Sequence, residues 1–284
     1  MSVSPSWNDR GLAFGDGLFE TIFVENGRPL MLTEHLARLR FGLSRLGLPE
    51  PAGAPVLAAI ETAIPAGTSG ACKLIITAGT GPRGYARPPA PEPTVHASFA
   101  PLPPTPRDAW VVEMSPVPVA GIPALRGLKH LNRLPQVLAR EQLSPGADEA
   151  LMTDADGRVV SGTMSNLFWR EGGRWCTPPL VDGSIAGTRR AWWIERLDAA
   201  IRSCATGRLA VADEAFCCNA LSAWRPVARL LDRRLVVPEA PPSGALHAPG
   251  GFWQPAAEPE GSPWPATLDE ALAASCWGRT WVRG

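Results

Sequence analysis

The sequence of 284 residues lacks an excess of charge, a metal-binding spacing and a long apolar run. Its 27 basic and 27 acidic residues balance, which speaks against the cationic surfaces that bind nucleic acid or acidic membranes. The six cysteines form no CxxC pair, and no apolar stretch is long enough to cross a bilayer. With the polar start MSVSPSWNDR, these absences predict a cytoplasmic protein with reduced thiols, no metal, and no nucleic-acid or membrane partner.

Lysine is also nearly absent. Of the 27 basic residues, only Lys73 and Lys129 are lysines. Arginine stays protonated at any biological pH, whereas a desolvated lysine can lose its proton and act as a nucleophile or base. Lys129, in GLKHLNRLPQVLAR, is therefore a candidate for covalent chemistry, the alternative being an ordinary surface charge. Lys73 lies in an alternating stretch and is predicted to face solvent.

Residues 1–118 predict a small N-terminal α/β domain. LFETIFV at 18–24 has the composition of a strand, and ENGRP supplies a hairpin turn. A helix then begins with Thr33 as its N-cap and ends at Gly47. One face of this helix carries Leu36, Leu39, Leu43 and Leu46. Further strands are predicted at 72–77, 94–100 and 109–115.

Residues 119–237 predict a second domain, and residues 238–284 a tail. The domain begins with a helix at about 132–143, and Pro135 lies in its first turn, where a missing N–H costs little. A second helix is predicted from Gly187 to about Cys204. Strands are predicted at 149–153, 158–161, 166–169, 174–177 and up to 217–220. The tail has eight prolines between Pro238 and Pro265, so it is predicted to be irregular apart from a short helix at 267–275.

Two stretches of the second domain indicate ligand binding. IAGTRRAWWIERL, residues 185–197, opens an amphipathic helix with a glycine-containing turn, and the N–H groups of such a helix start bind anions, above all phosphate. In RVVSGTMSNLFW, residues 158–169, alternation places Ser161, Thr163 and Ser165 on one strand face, which leaves room for a flat ligand. The structural alternatives are an ordinary capped helix and a small-residue strand packed under a helix.

Seven motifs follow one another between about residues 8 and 230: FGDGLFET (14–21), EHLARL (34–39), GTGPRGY (79–85), GLKHLNRLPQVLAR (127–140), ADEALMTDADGRVVSGTMSNLFW (147–169), AGTRR (186–190) and CCNAL (217–221). In this order they resemble the class IV aminotransferases, the pyridoxal-phosphate enzymes of fold type IV. KHLNR with CNAL most resembles the aminodeoxychorismate lyases of that family. The resemblance implies an α/β (α+β) fold in which pyridoxal 5′-phosphate lies between a small N-terminal domain and a larger C-terminal pseudo-barrel domain. It also implies a homodimer.

The resemblance implies roles for the residues that would hold the cofactor. Lys129 matches the lysine that bonds covalently to it, and Arg38 matches an arginine that holds its phosphate. Gly187, Thr188 and Arg189 match the helix start whose backbone N–H groups bind the same phosphate, in agreement with the anion site predicted there.

Further matches concern the substrate side. Asn219 and Ala220 match a loop over phosphate and substrate, and Thr21 matches a position that faces the active site in the lyases. Asn166 belongs to the N-L-F motif, and the resemblance implies that it also binds the cofactor. The substrate carries two carboxylates, for which Arg83 is the leading candidate and Arg133 the second.

The chain departs from the family pattern at two positions that matter chemically. Ala78 replaces the first arginine of the pattern RGxGxRGY. The family places a glutamate, which holds the pyridine nitrogen, five residues before the N-L-F asparagine, and Ser161 stands there instead. No acidic residue lies between Arg158 and Asn166, so the replacement for this glutamate stays open.

The implied reaction converts 4-amino-4-deoxychorismate into 4-aminobenzoate and pyruvate, a step toward folate. Lys129 would act as the general base, and Thr21 would help to protonate the leaving enolpyruvyl group. One alternative is a transaminase of the same fold that acts on a branched-chain or D-amino acid. The other is a non-catalytic cofactor-binding relative, against which the retained Lys129 speaks.

Overall fold

The computed structural model describes residues 6–51, 53–102, 109–119, 121–231 and 233–237, and the backbone of 246–247 and 253–254. These residues form two compact units. The first unit holds the described residues up to Leu102 together with Leu128–Asn132. The second holds the described residues from 109 to Gly127 and from Arg133 to 237.

The first unit contains a four-stranded antiparallel sheet in the order β2-β1-β3-β4. Its strands are β1 (Gly17–Glu25), β2 (Arg28–Pro29), β3 (Gly70–Thr77) and β4 (Thr94–Ala100). Asn26 and Gly27 join β1 to β2 with φ angles of 49° and 79°, which is the conformation of a two-residue hairpin turn. The predicted strands at 18–24, 72–77 and 94–100 and the predicted turn are confirmed.

The helices of the first unit are α1 (Arg10–Phe14), α2 (Leu32–Leu46) and α3 (Gly53–Ala63). The predicted Thr33 N-cap of α2 is wrong, because the short connection from β2 puts Met31 into the left-handed conformation and starts the helix at Leu32. The predicted end is confirmed, since Gly47 (φ 62°) donates to the Leu43 and Ser44 carbonyls. The sequence analysis missed α3, whose large buried side chains are only Val56 and Ile60.

The second unit contains a ten-stranded sheet in the order β10-β9-β8-β12-β13-β5-β6-β7-β11, with β14 beside β13. Its strands are β5 (Trp110–Met114), β6 (Glu149–Thr153), β7 (Arg158–Gly162), β8 (Asn166–Glu171), β9 (Arg174–Thr177), β10 (Ala200–Ile201), β11 (Cys204–Ala205), β12 (Glu214–Cys218), β13 (Arg225–Leu230) and β14 (Arg233–Arg234). Strand β5 is parallel to β6 and β13. Strand β5 therefore belongs to this sheet. The prediction that placed it in the N-terminal domain is wrong.

The helices of the second unit are α4 (Leu134–Glu141), α5 (Thr188–Leu197) and α6 (Thr206–Leu209), with a 3-10 turn at Pro123–Leu125. Helix α5 starts after Gly187 as predicted but ends at Leu197, where Asp198 takes the left-handed conformation. Its predicted end at Cys204 is wrong, because the chain then pairs as β10 with β9 and as β11 with β7.

The tail is described only at two short antiparallel strands, β15 (Leu246–His247) and β16 (Trp253–Gln254). The predicted helix at 267–275 lies outside the described residues. Across the ranges given above, no helix is both long and apolar enough to span a bilayer.

Candidate active site

Lys129 belongs to the first unit, where the backbone of residues 129–131 lies beside β1. Phe19 N donates to Lys129 O at 2.9 Å, Leu131 N donates to Gly17 O at 3.1 Å, and Leu18 bridges to His130. The Lys129 Nζ lies 4.2 Å from the centroid of the Phe19 ring, a cation–π distance. The backbone of β1 thus fixes the position from which the Lys129 amine projects.

Lys73 and Thr21 lie on the same strand face as Phe19. Thr21 is paired with Lys73 across β1 and β3, and the Lys73 Nζ lies 5.4 Å from the centroid of the Phe19 ring. Lys73 is exposed, as predicted. The two lysines of the sequence therefore meet at one aromatic ring, which the sequence analysis missed because the rarity of lysine was the only available signal.

Arg38 lies in a buried ionic cluster with Glu20 and His35. Its Nε donates to Glu20 Oε1 at 2.8 Å, its Nη2 donates to Glu20 Oε2, and His35 Nδ1 lies 2.7 Å from the same Oε2. Burial raises the pKa of Glu20, but Arg38 and His35 outweigh it and hold the pKa at about 2. The phosphate role of Arg38 stays a prediction, and Glu20 is a partner that holds its guanidinium in place.

Arg83 is exposed in a loop whose backbone carbonyls accept hydrogen bonds from Arg10. The buried Arg10 guanidinium donates to the carbonyls of Gly84, Tyr85 and Ala86 at 3.2, 2.7 and 3.1 Å. Its Nε donates to Asp16 Oδ2 at 2.9 Å. The loop conformation that presents Arg83 is therefore set by a buried cation.

Arg87 ends the same loop and shares Asp16 with Arg10. Its Nε donates to Asp16 Oδ2 at 2.9 Å, and its Nη1 donates to Leu46 O at 2.6 Å. Burial raises the pKa of Asp16, and the hydrogen bonds and charges of Arg87 and Arg10 more than offset it, so the pKa is lowered. In this chain, with Ala78 where the family pattern has arginine, Asp16 has two guanidinium partners.

The start of α5, in the second unit, is the place where the sequence predicts an anion site. Gly187 is the N-cap, and no side chain caps the helix. A Cβ at Gly187 would lie 2.0 Å from Asn166 Oδ1, so any larger residue would displace the Asn166 side chain. The side chains of Thr188 and Arg189, in the first turn, are buried. A ten-residue helix whose first N–H groups have no side-chain cap suits a phosphate group.

Asn219 organises the loop that follows β12. Its Oδ1 accepts from the N–H groups of Leu221 and Ser222 at 3.0 and 2.7 Å, and Ala220 lies inside this turn. Its Nδ2 donates to Met164 O at 3.2 Å. The predicted loop residues are thus tied to the turn between β7 and β8.

The predicted hydroxyl face of Ser161, Thr163 and Ser165 is wrong, because β7 ends at Gly162 and the next three residues form a turn. Thr163 and Ser165 donate their hydroxyls to Glu149. Ser161, buried at the end of β7, donates to the carbonyl of Gly162 at 3.0 Å. The sequence analysis did not single out Glu149, since it lies 12 positions before Ser161 and only the fold brings it to the turn.

Arg133, the second candidate for the substrate carboxylates, lies at the start of α4. Burial lowers its pKa to about 10, so it stays cationic at neutral pH.

Among the residues that the structure describes, no group of three or more His, Cys, Asp or Glu side chains could hold a metal ion.

Comparison with known proteins agrees with these features. The chain is 31% identical to an aminodeoxychorismate lyase of Vibrio harveyi, over 77% of this chain and 84% of that protein. It is 31% identical to a D-alanine aminotransferase of Staphylococcus aureus, over 66% and 70%. The crystal structure of 4-amino-4-deoxychorismate lyase from Pseudomonas aeruginosa is 40% identical, with a TM-score of 0.78, and the match covers 84% of this chain and 92% of that one.

The family model named Amino-transferase class IV matches residues 17–230. This range contains Lys129, the start of α5 and the Asn219 loop, which are the features that the motifs indicated. The predicted resemblance and the mixed α/β fold are confirmed, and the chain belongs to the class IV aminotransferase family.

Proposed function

We propose that the chain catalyses the conversion of 4-amino-4-deoxychorismate into 4-aminobenzoate and pyruvate. The observation that carries this proposal is the 40% identity to the Pseudomonas aeruginosa lyase over 84% of the chain. Ser161 also favours a lyase over a transaminase, because a neutral hydroxyl stands at the position where the family pattern has a carboxylate. We also propose a cytoplasmic location, and the even charge balance speaks against nucleic-acid and membrane partners.

The proposed cofactor is pyridoxal 5′-phosphate, which when bound draws electrons from the substrate carbon that carries the amine. Lys129 would bond to it, and the uncapped start of α5, at Gly187, Thr188 and Arg189, would hold its phosphate. The site fits because no side chain caps the first N–H groups of α5, and the side chains of Thr188 and Arg189 are buried in this turn. The further residues that we propose for cofactor binding are Arg38, Ser161, Asn166, Asn219 and Ala220.

Proton transfer is assigned to Lys129 and Thr21. The Lys129 amine would remove the proton from the substrate carbon and, once protonated, deliver it to the leaving enolpyruvyl group. The Phe19 ring, 4.2 Å from the Lys129 Nζ, would stabilise the protonated amine through its negative face. Thr21, on the same strand face, is proposed to assist this delivery with its hydroxyl.

The two substrate carboxylates require cations in the site. Arg83 stays the leading candidate, and the Arg10 contacts to residues 84–86 support a fixed loop for it. Lys73 adds an exposed ammonium group directly opposite Thr21. We assign substrate binding to Arg83 and include Lys73 as a second cation.

A homodimer is proposed as the working form. Leu134, Val137 and Leu138 lie on one face of α4 and are 65%, 51% and 47% exposed. An exposed apolar helix face of this kind marks a protein–protein contact. Leu134→Glu should shift the protein from dimer to monomer in analytical ultracentrifugation, whereas Leu12→Glu, on α1, serves as an exposed control. A wild-type monomer at micromolar concentration would contradict the proposal.

The reaction is tested by supplying the cofactor-loaded protein with 4-amino-4-deoxychorismate and, in parallel, with D-alanine or a branched-chain amino acid and an oxo acid. Formation of 4-aminobenzoate and pyruvate in equal amounts supports the lyase. Rapid transamination without 4-aminobenzoate would assign the chain to the aminotransferases. A loaded protein inactive in both assays would favour the non-catalytic alternative.

A further inference from the structure

Glu149 is a completely buried carboxylate that no part of the proposed reaction uses. Its exposure is 0%, and the nearest cation recorded for it is Arg140, whose Nη1 lies 3.8 Å away on a side chain that is 42% exposed. Burying an ionised group is unfavourable unless hydrogen bonds replace its water. The Glu149 carboxylate therefore depends on hydrogen bonds from its surroundings.

The carboxylate is wrapped by the turn that joins β7 to β8. Thr163 N, Met164 N and Ser165 Oγ donate to it at 3.0, 3.3 and 2.7 Å, and Thr163 Oγ1 adds a fourth hydrogen bond. Gly162 N closes the turn on Ser165 O at 2.8 Å. A Cβ at Gly162 would lie 2.7 Å from Glu149 Oε2. Three consecutive residues therefore take their conformation from one carboxylate.

This turn is bonded to both segments that we propose to hold the phosphate, which are the start of α5 and the Asn219 loop. We call these two segments the phosphate cradle. The Met164 carbonyl accepts from Asn219 Nδ2 at 3.2 Å, which ties the turn to the loop after β12. Asn166 follows Ser165 directly, and its Nδ2 donates to Ile185 O at 3.2 Å. Its Oδ1 is the atom that leaves no room for a Cβ at Gly187. A shift of the turn would therefore move Asn166 against the start of α5 and release Asn219.

We propose that Glu149 is a positioning residue that fixes the phosphate cradle through the Gly162–Ser165 turn. The proposal rests on the proposed cofactor but not on the reaction that the cofactor serves. Hydrogen bonds from neutral donors to a buried anion are strong and directional, so the carboxylate holds the turn in one geometry before the ligand arrives. A glutamine has the same size but lacks the charge, and its amide nitrogen can only donate.

The test compares Glu149→Gln with Val227→Ala, a core variant of the same unit on β13, a strand that pairs with β12, β5 and β14 rather than with β7 or β8. Thermal unfolding of the cofactor-free proteins establishes that both are folded and how much stability each has lost. The dissociation constants of pyridoxal 5′-phosphate, and of inorganic phosphate as a competitor, are then measured by fluorescence. We expect Glu149→Gln to weaken both ligands at least tenfold, and Val227→Ala to leave both within about twofold at a comparable loss of stability.

Ser165→Ala and Thr163→Val remove one hydroxyl donor each and serve if Glu149→Gln does not fold. Each should weaken pyridoxal phosphate several-fold, while Arg140→Gln should change nothing, because an exposed cation contributes little. Equal affinity losses in Glu149→Gln and Val227→Ala, or unchanged affinity in both hydroxyl variants, would overturn the proposal. A wild-type protein that binds pyridoxal phosphate but forms no 4-aminobenzoate would refute the reaction and leave this comparison intact.

Discussion

Glu20 in the first unit and Glu149 in the second are both buried, and they are held in different ways. In the first unit, Glu20 and Asp16 are each paired with arginine, and both pKa values are lowered. In the second unit, Glu149 is surrounded by backbone N–H groups and hydroxyls of one turn. Ion pairs connect distant segments, whereas neutral donors shape a local loop. The first unit therefore fixes the positions of cationic side chains, and the second fixes a cradle of backbone groups.

Lys129→Ala gives the largest expected effect, because it removes the amine to which we assign both cofactor attachment and proton transfer. Activity with 4-amino-4-deoxychorismate should fall at least about 10⁴-fold, since covalent attachment and general-base catalysis are lost together. Steady-state assays of 4-aminobenzoate measure this loss. Lys73→Ala, at the same aromatic ring, is the matched control and should retain the covalent cofactor. A Lys129→Ala enzyme with near-normal turnover would refute the assignment.

Glu20→Gln tests the ionic cluster of the first unit. Breaking a buried pair leaves Arg38 uncompensated, so the free energy of unfolding at pH 7 should fall by about 3–5 kcal/mol. Because the folded pKa of Glu20 is about 2 and its ordinary value is 4.5, its contribution is complete above pH 4.5 and is lost as the pH falls toward 2.

Denaturant unfolding between pH 2.5 and 7 measures both effects. The wild-type stability should rise with pH through this window, and the Glu20→Gln curve should be flatter. Glu61→Gln, on the exposed side of α3, should leave both the stability and the slope unchanged. Parallel wild-type and Glu20→Gln curves would contradict the account of the cluster.

Arg38→Ala should weaken pyridoxal phosphate about 10- to 100-fold, the loss expected for a hydrogen bond to a charged group. Turnover at saturating cofactor should change much less, because the phosphate is remote from the reacting carbon. Cofactor titrations of Arg38→Ala and Arg38→Lys separate the loss of charge from the loss of the planar fork. Unchanged affinity in Arg38→Ala would mean that Arg38 serves Glu20 alone.

Ser161→Glu gives the smallest expected effect and tests the second unit, where Ser161 lies at the end of β7. A carboxylate beside the pyridine nitrogen favours its protonated form, which a transaminase needs more than a lyase does. The variant should gain measurable transaminase activity, while 4-aminobenzoate formation changes less than tenfold. Ser161→Gln, of equal size and without charge, should gain none. Transamination in neither variant would show that position 161 does not control the reaction type.

Local patterns predicted the elements of this fold well. The strand at 94–100, the turn at Asn26–Gly27 and the start of α5 at Gly187 depend on neighbouring residues and were read from them correctly. The wrong end of α5 had a long-range cause, since residues 200–205 pair with β9 and β7.

Site residues that lie in sequence motifs could be proposed from the sequence. Residues that only the folded chain brings together could not. Lys129 and the α5 start were proposed from composition and resemblance. Glu149 contacts a turn 14 to 16 positions away, and Arg87 contacts Asp16 across 71 positions. No single-sequence pattern links such residues, because sheet pairing and loop packing bring them together.

The most direct test of the account is to load the protein with pyridoxal phosphate, reduce it with borohydride and map the modified peptide by mass spectrometry. The sequence has two lysines, both within 5.4 Å of the centroid of the Phe19 ring, so the result identifies one of them. We predict a single cofactor on Lys129 and an unmodified Lys73. Stable modification of Lys73 with Lys129 free, or no modification of either lysine, would contradict the account.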